Sequence, residues 1–387
     1  MQQPSQASRA MIDRLIAFDT TSRNSNLEII HFIRDYLKDL GVASEVITGE
    51  DLAKANLYAT LGPSDRPGIA LSGHTDVVPI DGQDWASDPW AVVEKDGKLF
   101  GRGTCDMKSF VAVALTFAPR FLERELNVPI HYCFSYDEEV GCLGVRPMLA
   151  RLAELPVRPR LAIIGEPTDM KVINAHKGKL SYRAQVRGFE CHSSLAPQGV
   201  NAIEYAAKMV VKLNEMARRK AEQGPFEADY DIPHTTVHTG VMEGGTALNI
   251  VPKDCSFEFE FRHLPADDPE ALLAEIQRYA SEVLEPEMRA VQPDTGIAFE
   301  FLSAITGLDT PADHEVVQLA KALTGANATS KVAFGTEAGL FAETSIPAVV
   351  CGPGSIEQAH KPNEFVTLEQ VALCEGFMER LAERLAA

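Results

Sequence analysis

Residues 69–76 read IALSGHTD, a short apolar run that ends directly in a histidine and an aspartate. The length of the run and the turn residues around it predict a buried strand. In open α/β sheets, ligands bind beyond the carboxyl ends of the strands, so His74 and Asp76 are expected at a binding site. Their spacing lets Asp76 orient the His74 imidazole. A plain turn capped by Asp76 is the alternative.

Similar apolar runs occur on both sides of this stretch, at residues 57–61, 128–136 and 161–165. Residues 12–40, 108–126 and 144–155 have apolar residues at helical spacing instead. The same α/β texture returns at 332–334 and 348–351. This alternation predicts an α/β fold with a mostly parallel sheet.

The pattern of apolar and polar residues changes after about residue 178. Segments 179–188, 235–242 and 255–262 alternate like half-exposed strands, and helical patterns cover 201–223 and 269–284. These segments predict a compact α+β unit inserted into the larger domain. We therefore expect one domain from residues 1–178 and 290–387 and a second one from residues 179–289.

Asp106 lies in GRGTCDMK (residues 101–108), which opens a predicted helix. The stretch is not a dinucleotide fingerprint, because Asp106 occupies the place of the third glycine and would repel a pyrophosphate. Asp106 is either the N-cap of the helix or a carboxylate that bridges two metal ions. Cys105 beside it is not accompanied by a nucleophilic relay, so we expect it to pack.

Three further acids and a histidine follow predicted strands. Glu138 and Glu139 belong to YDEE (136–139), Glu166 to GEPT (165–168), and His360 lies in the loop after the strand at 348–351. Each alone is weak evidence, since exposed acidic turns and loop histidines are common. Adjacent acids repel one another unless a cation lies among them.

Taken together, the two histidines and three carboxylates suit two divalent cations, zinc first, with cobalt or manganese as alternatives. The proposed ligands are His74, Asp106, Glu139, Glu166 and His360. Two ions close together can activate water and polarise a carbonyl. A carboxylate must then carry a proton to the leaving amine, and Glu138 is the candidate.

The bulk composition excludes several classes of partner. The chain has 387 residues, 36 of them basic and 55 acidic, with a net charge of −19. Such a charge predicts no binding to nucleic acid or to an anionic membrane. The start of the chain does not have the pattern of a signal peptide, and the seven cysteines form no CxxC pair. A cytoplasmic protein with reduced thiols is expected.

The sequence resembles the M20 family of zinc-dependent exopeptidases and deacylases. The matching stretches occur in the family's order along almost the whole chain: SGHTDVVP (72–79), WASDPW (85–90), GRGTCDMK (101–108), DEE (137–139), GEPT (165–168), GFECHSS (188–194), GGTALNIVP (244–252) and the final His360.

The resemblance implies a role for each candidate residue. Asp106 would bridge two zinc ions, with His74 and Glu166 at one and Glu139 and His360 at the other. Glu138 would be the general base and Asp76 would support His74. The inserted unit would be a ferredoxin-like lid that forms a homodimer, and its matching positions, His192, Asn249 and Arg262, would contact the substrate. A surface role for His192 and Arg262 and a turn role for Asn249 are the alternatives.

Cys105 and the stretch GTEAG (335–339) resemble the branch of the family that hydrolyses N2-acetyl-L-ornithine to ornithine and acetate. A small N-acyl amino acid of this kind is the expected substrate. Arg262 and Asn249 would bind its α-carboxylate, and Glu337 its side-chain amine, unless Glu337 only begins a helix after the N-cap Thr336. The alternatives are a succinyl-diaminopimelate desuccinylase, a broader N-acyl-amino-acid hydrolase or carboxypeptidase, and a metal-binding scaffold without activity.

Overall fold

The computed structural model describes residues 3–49 and 52–386. The chain forms two units: unit 1 contains residues 1–175, 308–331 and 336–387, and unit 2 contains residues 176–307 and 332–335. The first boundary lies close to the one expected at 178. The second lies at 307 and not near 290, because a further strand belongs to unit 2. Residues 1, 2, 50, 51 and 387, which the expected domains include, lie outside the described residues.

The first part of the chain alternates helices and strands as expected, although the helical segment 108–126 is divided into two helices. The elements are α1 (Gln6–Ile16), α2 (Leu27–Asp39), β1 (Ser44–Thr48), β2 (Ala55–Leu61), β3 (Ile69–His74), β4 (Val93–Lys95), β5 (Lys98–Phe100), α3 (Lys108–Thr116), α4 (Ala118–Glu123), β6 (Ile130–Ser135), α5 (Val145–Glu154), β7 (Leu161–Pro167) and β8 (Ile173–His176).

Unit 2 has the order of elements of a ferredoxin-like fold, βαββαβ, with two helices in the second helical segment. The elements are β9 (Gly178–Arg187), α6 (Ala202–Gln223), β10 (Thr236–Gly244), β11 (Asp254–His263), α7 (Pro269–Tyr279), α8 (Glu285–Val291) and β12 (Gly296–Ile305). Asn201 and Asp268 cap α6 and α7 through their side-chain oxygens, as expected of such residues.

The sheet of unit 2 is antiparallel with strand order β10-β11-β9-β12. Every second residue of β11 is buried, and Phe257, Phe259 and Phe261 form a core with Met209 and Ile276 of the helices. β12 is the fourth strand of this sheet, which is why a boundary near 290 is too early.

The last part of the chain returns to unit 1. Its elements are β13 (Leu308–Asp309), α9 (Glu315–Thr324), β14 (Ser330–Val332), α10 (Ala338–Glu343), β15 (Ala348–Gly352), β16 (Phe365–Thr367) and α11 (Leu368–Leu385). In the described ranges, no helix combines the length and apolar content needed to cross a lipid bilayer.

The main sheet of unit 1 has the order β1-β2-β6-β3-β7-β15-β8-β13, and β14 pairs with β8. Its four central strands, β6, β3, β7 and β15, are parallel to one another, whereas the outer pairs β1–β2, β2–β6 and β15–β8 are antiparallel. The expected α/β fold is confirmed. The central strands are buried along their whole length, as parallel strands between helices must be.

Candidate active site

The carboxyl ends of the central parallel strands carry most of the predicted site. His74 is the last residue of β3 and Glu166 lies near the end of β7. Glu138 and Glu139 follow β6, and His360 lies in the loop after β15. Because these strands are parallel, all four places meet at one edge of the sheet.

Asp106 lies between the two histidines. Its Oδ1 is 3.0 Å from His74 Nε2, and its Oδ2 is 3.3 Å from His360 Nε2. The carboxylate thus presents one oxygen to each imidazole, which is the arrangement that a bridging ligand requires. Asp106 precedes α3 but is not its N-cap, because Met107 occupies that position.

Each histidine also has a second carboxylate partner. His74 Nε2 is 3.6 Å from Glu166 Oε1, and His360 Nε2 is 3.0 Å from Glu139 Oε2. Ligand atoms of His74, Asp106 and Glu139 lie within 4.8 Å of one another, and so do those of His74, Glu138 and Glu166. All five predicted ligands are therefore brought together, with Glu138 beside them.

The electrostatics of the cluster favour bound cations. Burial and the neighbouring Asp106 carboxylate raise the pKa values of Glu139 and Glu166. Hydrogen bonds with Asp106 and Glu139 raise the pKa of His360 to about 10. Glu139 Oε1 is buried and makes no hydrogen bond within the described protein. Two imidazoles together with carboxylates that repel one another, one of which has an unpartnered oxygen, fit divalent metal ions.

Asp76 contacts the His74 imidazole through its backbone as well as through its carboxylate. The shortest contact of His74 Nδ1 is the carbonyl oxygen of Asp76 at 2.9 Å, while the Asp76 carboxylate is 3.4 Å away. Donation from Nδ1 leaves Nε2 free to face Asp106. The carboxylate accepts the backbone N–H of Glu138 at 3.1 Å and the Ser22 hydroxyl at 2.8 Å. Asp76 therefore positions both β3 and the turn that follows β6.

The turn that carries Glu138 is held by an ion pair that the sequence did not reveal. Asp137 has a φ of 52° and its carboxylate is 2.6 Å from Lys54 Nζ. Cys142 Sγ donates to Glu138 Oε1 at 3.4 Å. Burial and the nearby Glu166 carboxylate raise the pKa of Glu138 well above its usual value. A carboxyl group with a raised pKa is suited to carry a proton near neutral pH.

Glu337 lies inside unit 1, directly before α10, and is only 1% exposed. Its Oε1 accepts the Ser135 hydroxyl at 2.6 Å, and its Oε2 is without a hydrogen bond in the described protein. Thr336 Oγ1 accepts the N–H of Ala338 at 3.1 Å, but the N-cap position of α10 is occupied by Glu337 and not by Thr336. Burial raises the pKa of Glu337 to about 7. Its contact with the substrate amine stays a prediction.

His192 and Asn249 are neighbours in unit 2. His192 pairs with Ile250 in an isolated β-bridge, and the N–H of Ser193 donates to the Asn249 carbonyl oxygen at 2.9 Å. His192 Nδ1 accepts the Ser194 N–H at 3.2 Å, so the proton of the neutral ring lies on Nε2. His192 is exposed and therefore presents an N–H donor at the surface of unit 2.

Arg262 lies elsewhere in unit 2. It belongs to the last part of β11, pairs with Lys179 of β9, and donates to Glu260 Oε1 at 2.9 Å. The loops of His192 and Asn249 adjoin the opposite end of β11, where the N–H of Gly188 donates to the Lys253 carbonyl oxygen. At about 3.4 Å per residue, β11 separates the two ends by roughly 27 Å.

Cys105 packs as the sequence predicted. Its side chain is 1% exposed and Sγ donates to the Ser355 carbonyl oxygen at 3.2 Å. Burial raises the pKa of this thiol, which makes it a poor nucleophile.

Polar residues that support the site were missed by the sequence analysis. These residues are Ser22, Lys54, Gln83, Arg102 and Glu364. Arg102 lies within the motif GRGTCDMK and Glu364 follows His360 closely, so both motifs contained the signal.

The family model described as Peptidase family M20/M25/M40 matches residues 70–384. An acetylornithine deacetylase from Myxococcus xanthus is 35% identical over 386 residues, which cover 97% of this chain and 96% of that protein.

Two solved structures have the same fold. An M20 family metallo-carboxypeptidase from Sulfolobus solfataricus superposes with a TM-score of 0.77 at 18% identity, covering 98% of this chain and 99% of the other. A Bacillus subtilis protein, described as a dinuclear metal-binding peptidase from the M20 family, superposes with a TM-score of 0.64 at 15% identity, covering 98% of both chains.

The matched range spans the five candidate ligands and Glu138 and extends through both units. The relative from Myxococcus xanthus is also more than 30% identical over almost the whole chain. Both findings lead to the same assignment. The chain belongs to Peptidase family M20/M25/M40.

Proposed function

We propose that this protein is a two-metal hydrolase that removes the acyl group from an N-acyl amino acid, with N2-acetyl-L-ornithine as its substrate. One observation carries the proposal: the Asp106 carboxylate presents one oxygen to each of two imidazoles, with Glu138 beside the cluster. The relative from Myxococcus xanthus supports the choice of substrate.

His74 and Glu166 would hold one ion, His360 and Glu139 the other, and Asp106 both. The donor set favours zinc, with cobalt as the alternative. When bound, the two ions polarise the scissile carbonyl and make a water nucleophile available at neutral pH. We assign Glu139 as the metal ligand, and Glu138 as the group that moves the proton, because Oε2 of Glu139 lies 3.0 Å from Nε2 of His360.

Glu138 would move the proton of the reaction. Its carboxylate would accept a proton from the attacking water and then donate it to the nitrogen of the departing amino acid. The backbone N–H of Glu138 is fixed by Asp76, and Oε1 accepts the thiol of Cys142. The first contact holds the turn that carries Glu138, and the second holds its carboxylate, which general acid–base catalysis requires to be positioned.

We further infer that unit 2 forms a homodimer that brings His192 and Asn249 to the site of the partner subunit. Within one copy of unit 2, these residues and Arg262 are separated by the length of β11, which far exceeds a small N-acyl amino acid. All three contact one substrate only if two copies contribute. Strand β10 is an edge strand on which Val241 and Met242 are exposed, which suits pairing with a second copy.

Arg262 would pair with the α-carboxylate of the substrate, for which a guanidinium is well suited. The exposed Nε2–H of His192 would stabilise the oxyanion that develops on the carbonyl oxygen. The described cysteines are all free, which agrees with a reducing compartment such as the cytoplasm.

A mixed dimer tests the contribution across the interface. His192→Ala and Glu138→Gln protomers are each expected to be nearly inactive alone. After mixing and exchange of subunits, one site of the heterodimer has an intact Glu138 and receives His192 from the other protomer. Activity should then reappear. If mixing restores nothing although exchange is verified by mass spectrometry, His192 does not act across the interface.

Kinetics on a panel of substrates tests the proposed activity itself. We expect the highest kcat/KM on N2-acetyl-L-ornithine, with lower values on N-succinyl-diaminopimelate, on acetylated amino acids without a side-chain amine and on dipeptides. A higher kcat/KM on the succinyl substrate or on a dipeptide would mean that this compound, and not N2-acetyl-L-ornithine, is the substrate. The two-metal mechanism would be retained. Hydrolysis of none of them by the metal-loaded protein would refute the proposal.

A further inference from the structure

We propose that Arg102, Glu364 and Gln83 form a bracket that positions Asp106 and His360 for the second metal ion. The inference rests on the proposed two-metal centre. Glu364 and Arg102 are each only 1% exposed, and their side chains are 2.7 Å apart. No part of the proposed chemistry uses either residue, so a buried ion pair beside the centre requires another explanation.

The Glu364 carboxylate holds the loop that carries Asp106. Oε1 accepts the backbone N–H groups of Cys105 at 2.8 Å and Asp106 at 3.0 Å, and Oε2 accepts that of Gly103 at 3.0 Å. Only a charged carboxylate accepts all of these donors together with the Arg102 guanidinium. The direction of the Asp106 side chain therefore depends on Glu364.

The Arg102 guanidinium connects this loop to the one that carries His360. Its Nη2 donates to Gln83 Oε1 at 2.5 Å, and Gln83 Nε2 donates to the carbonyl oxygen of His360 at 3.0 Å. Arg102 Nη1 also lies 3.4 Å from the Lys361 carbonyl oxygen. The loops that carry Asp106 and His360 are therefore both held by the buried ion pair of Arg102 and Glu364.

The His360 loop requires such support. His360 has a φ of 61°, a conformation that non-glycine residues rarely adopt, and its side chain is 53% exposed. The ligands of the other subsite, His74 and Glu166, lie on buried strands and are 1% and 6% exposed. The bracket thus supplies to the second subsite the rigidity that the sheet supplies to the first.

Calorimetric titration of the metal-free full-length protein with Co²⁺ tests this role without using activity. Removing such supporting partners typically weakens metal affinity by about 10- to 100-fold. We expect Gln83→Met to weaken binding of the second ion by about 10-fold while the first ion binds as in the wild type. Glu364→Gln should weaken the second ion by up to about 100-fold and, because Asp106 would hold both ions, should weaken the first ion as well.

Asp267→Asn is the matched control, because Asp267 forms an ion pair with Lys220 in unit 2 and has side-chain exposure of 7%. Its metal affinities should remain unchanged. If Glu364→Gln does not fold, as judged by circular dichroism, Gln83→Met decides the question. Unchanged or equally weakened binding at both subsites in Gln83→Met would overturn the bracket. A wild type that binds fewer than two ions would instead contradict the proposed centre.

Discussion

Two buried histidines of the same sheet have opposite electrostatic environments. Burial alone would lower the pKa of His74, but the carboxylates of Glu166 and Asp106 hold it well above the usual value. His131, the second residue of strand β6, is equally buried, and burial lowers its pKa to about 4. Its Nδ1 contacts the hydroxyls of Tyr58 at 2.8 Å and Thr60 at 3.0 Å.

The difference lies in the neighbours and not in the degree of burial. The carboxyl edge of the sheet gathers ionisable groups, whereas His131, at the amino end of β6, contacts the hydroxyls of Tyr58 and Thr60, and burial keeps it neutral. A buried histidine therefore indicates function only when charged groups converge on it. The following experiments test this contrast between the two edges.

Removal of metal should have the largest effect, and only at the carboxyl edge. Dialysis against a chelator is expected to abolish hydrolysis of N2-acetyl-L-ornithine, because the carboxylates and imidazoles alone do not activate water. Added Zn²⁺ or Co²⁺ should restore the rate, and chelator saturated with Zn²⁺ should cause no loss. Full turnover by a sample shown by elemental analysis to be free of metal would contradict the two-metal mechanism.

Glu138→Gln should lower kcat by about 10²- to 10⁴-fold, because the amide cannot carry the proton. The variant should retain two metal ions per chain by elemental analysis. Cys142→Ala is a neighbouring control that removes a contact of Glu138 but not its carboxylate. Loss of metal from Glu138→Gln would mean that Glu138 is a ligand and that the roles of Glu138 and Glu139 are exchanged.

Glu337→Gln should separate charged from neutral substrates. A hydrogen bond to a charged group contributes about 1.5–3 kcal/mol, so its loss should lower kcat/KM on acetylornithine by roughly 10- to 150-fold. Acetylnorvaline has a side chain of similar length without the amine, and its kcat/KM should change little. An equal decrease on both substrates would show that Glu337 supports the fold through Ser135.

At the amino end of β6, His131→Gln should change stability and not activity. As the pH falls from about 6.5 to 4, the unfolded histidine binds a proton that the folded one excludes, so the wild type loses stability over this range. The variant should lose less between pH 7 and pH 5, by about 2 kcal/mol in the free energy of unfolding from urea titrations. His31→Gln, at an exposed position of α2, is the control. Identical pH dependence in His131→Gln and the wild type would show that His131 does not titrate differently on folding.

The sequence was sufficient to find most of the candidate ligands because they follow apolar runs, and parallel strands place such positions at one edge. His74, Glu166 and the YDEE turn were found in this way. The supporting contacts could not be found similarly. Arg102 and Glu364 are far apart in sequence and meet only because β16 pairs with β5.

Strand β12 was not predicted from the sequence, for a different reason. Its register against β9 shifts between Phe301 and Ser303, which interrupts the strict alternation by which a half-exposed strand is recognised. The expected boundary near residue 290 therefore excluded a strand that the ferredoxin-like sheet requires.

The two ends of unit 2 lie close together at the main sheet. Strands β8 and β13, which precede and follow it, are neighbours in the main sheet, and the N–H of Thr310 donates to the Asn174 carbonyl oxygen. Gly178 and Gly307 are so close that a Cβ on Gly178 would lie 3.0 Å from the nitrogen of Gly307. A tight turn could join the same two points. The main sheet, which carries the candidate metal ligands, would therefore keep its strand order if unit 2 were shortened or exchanged for another insertion.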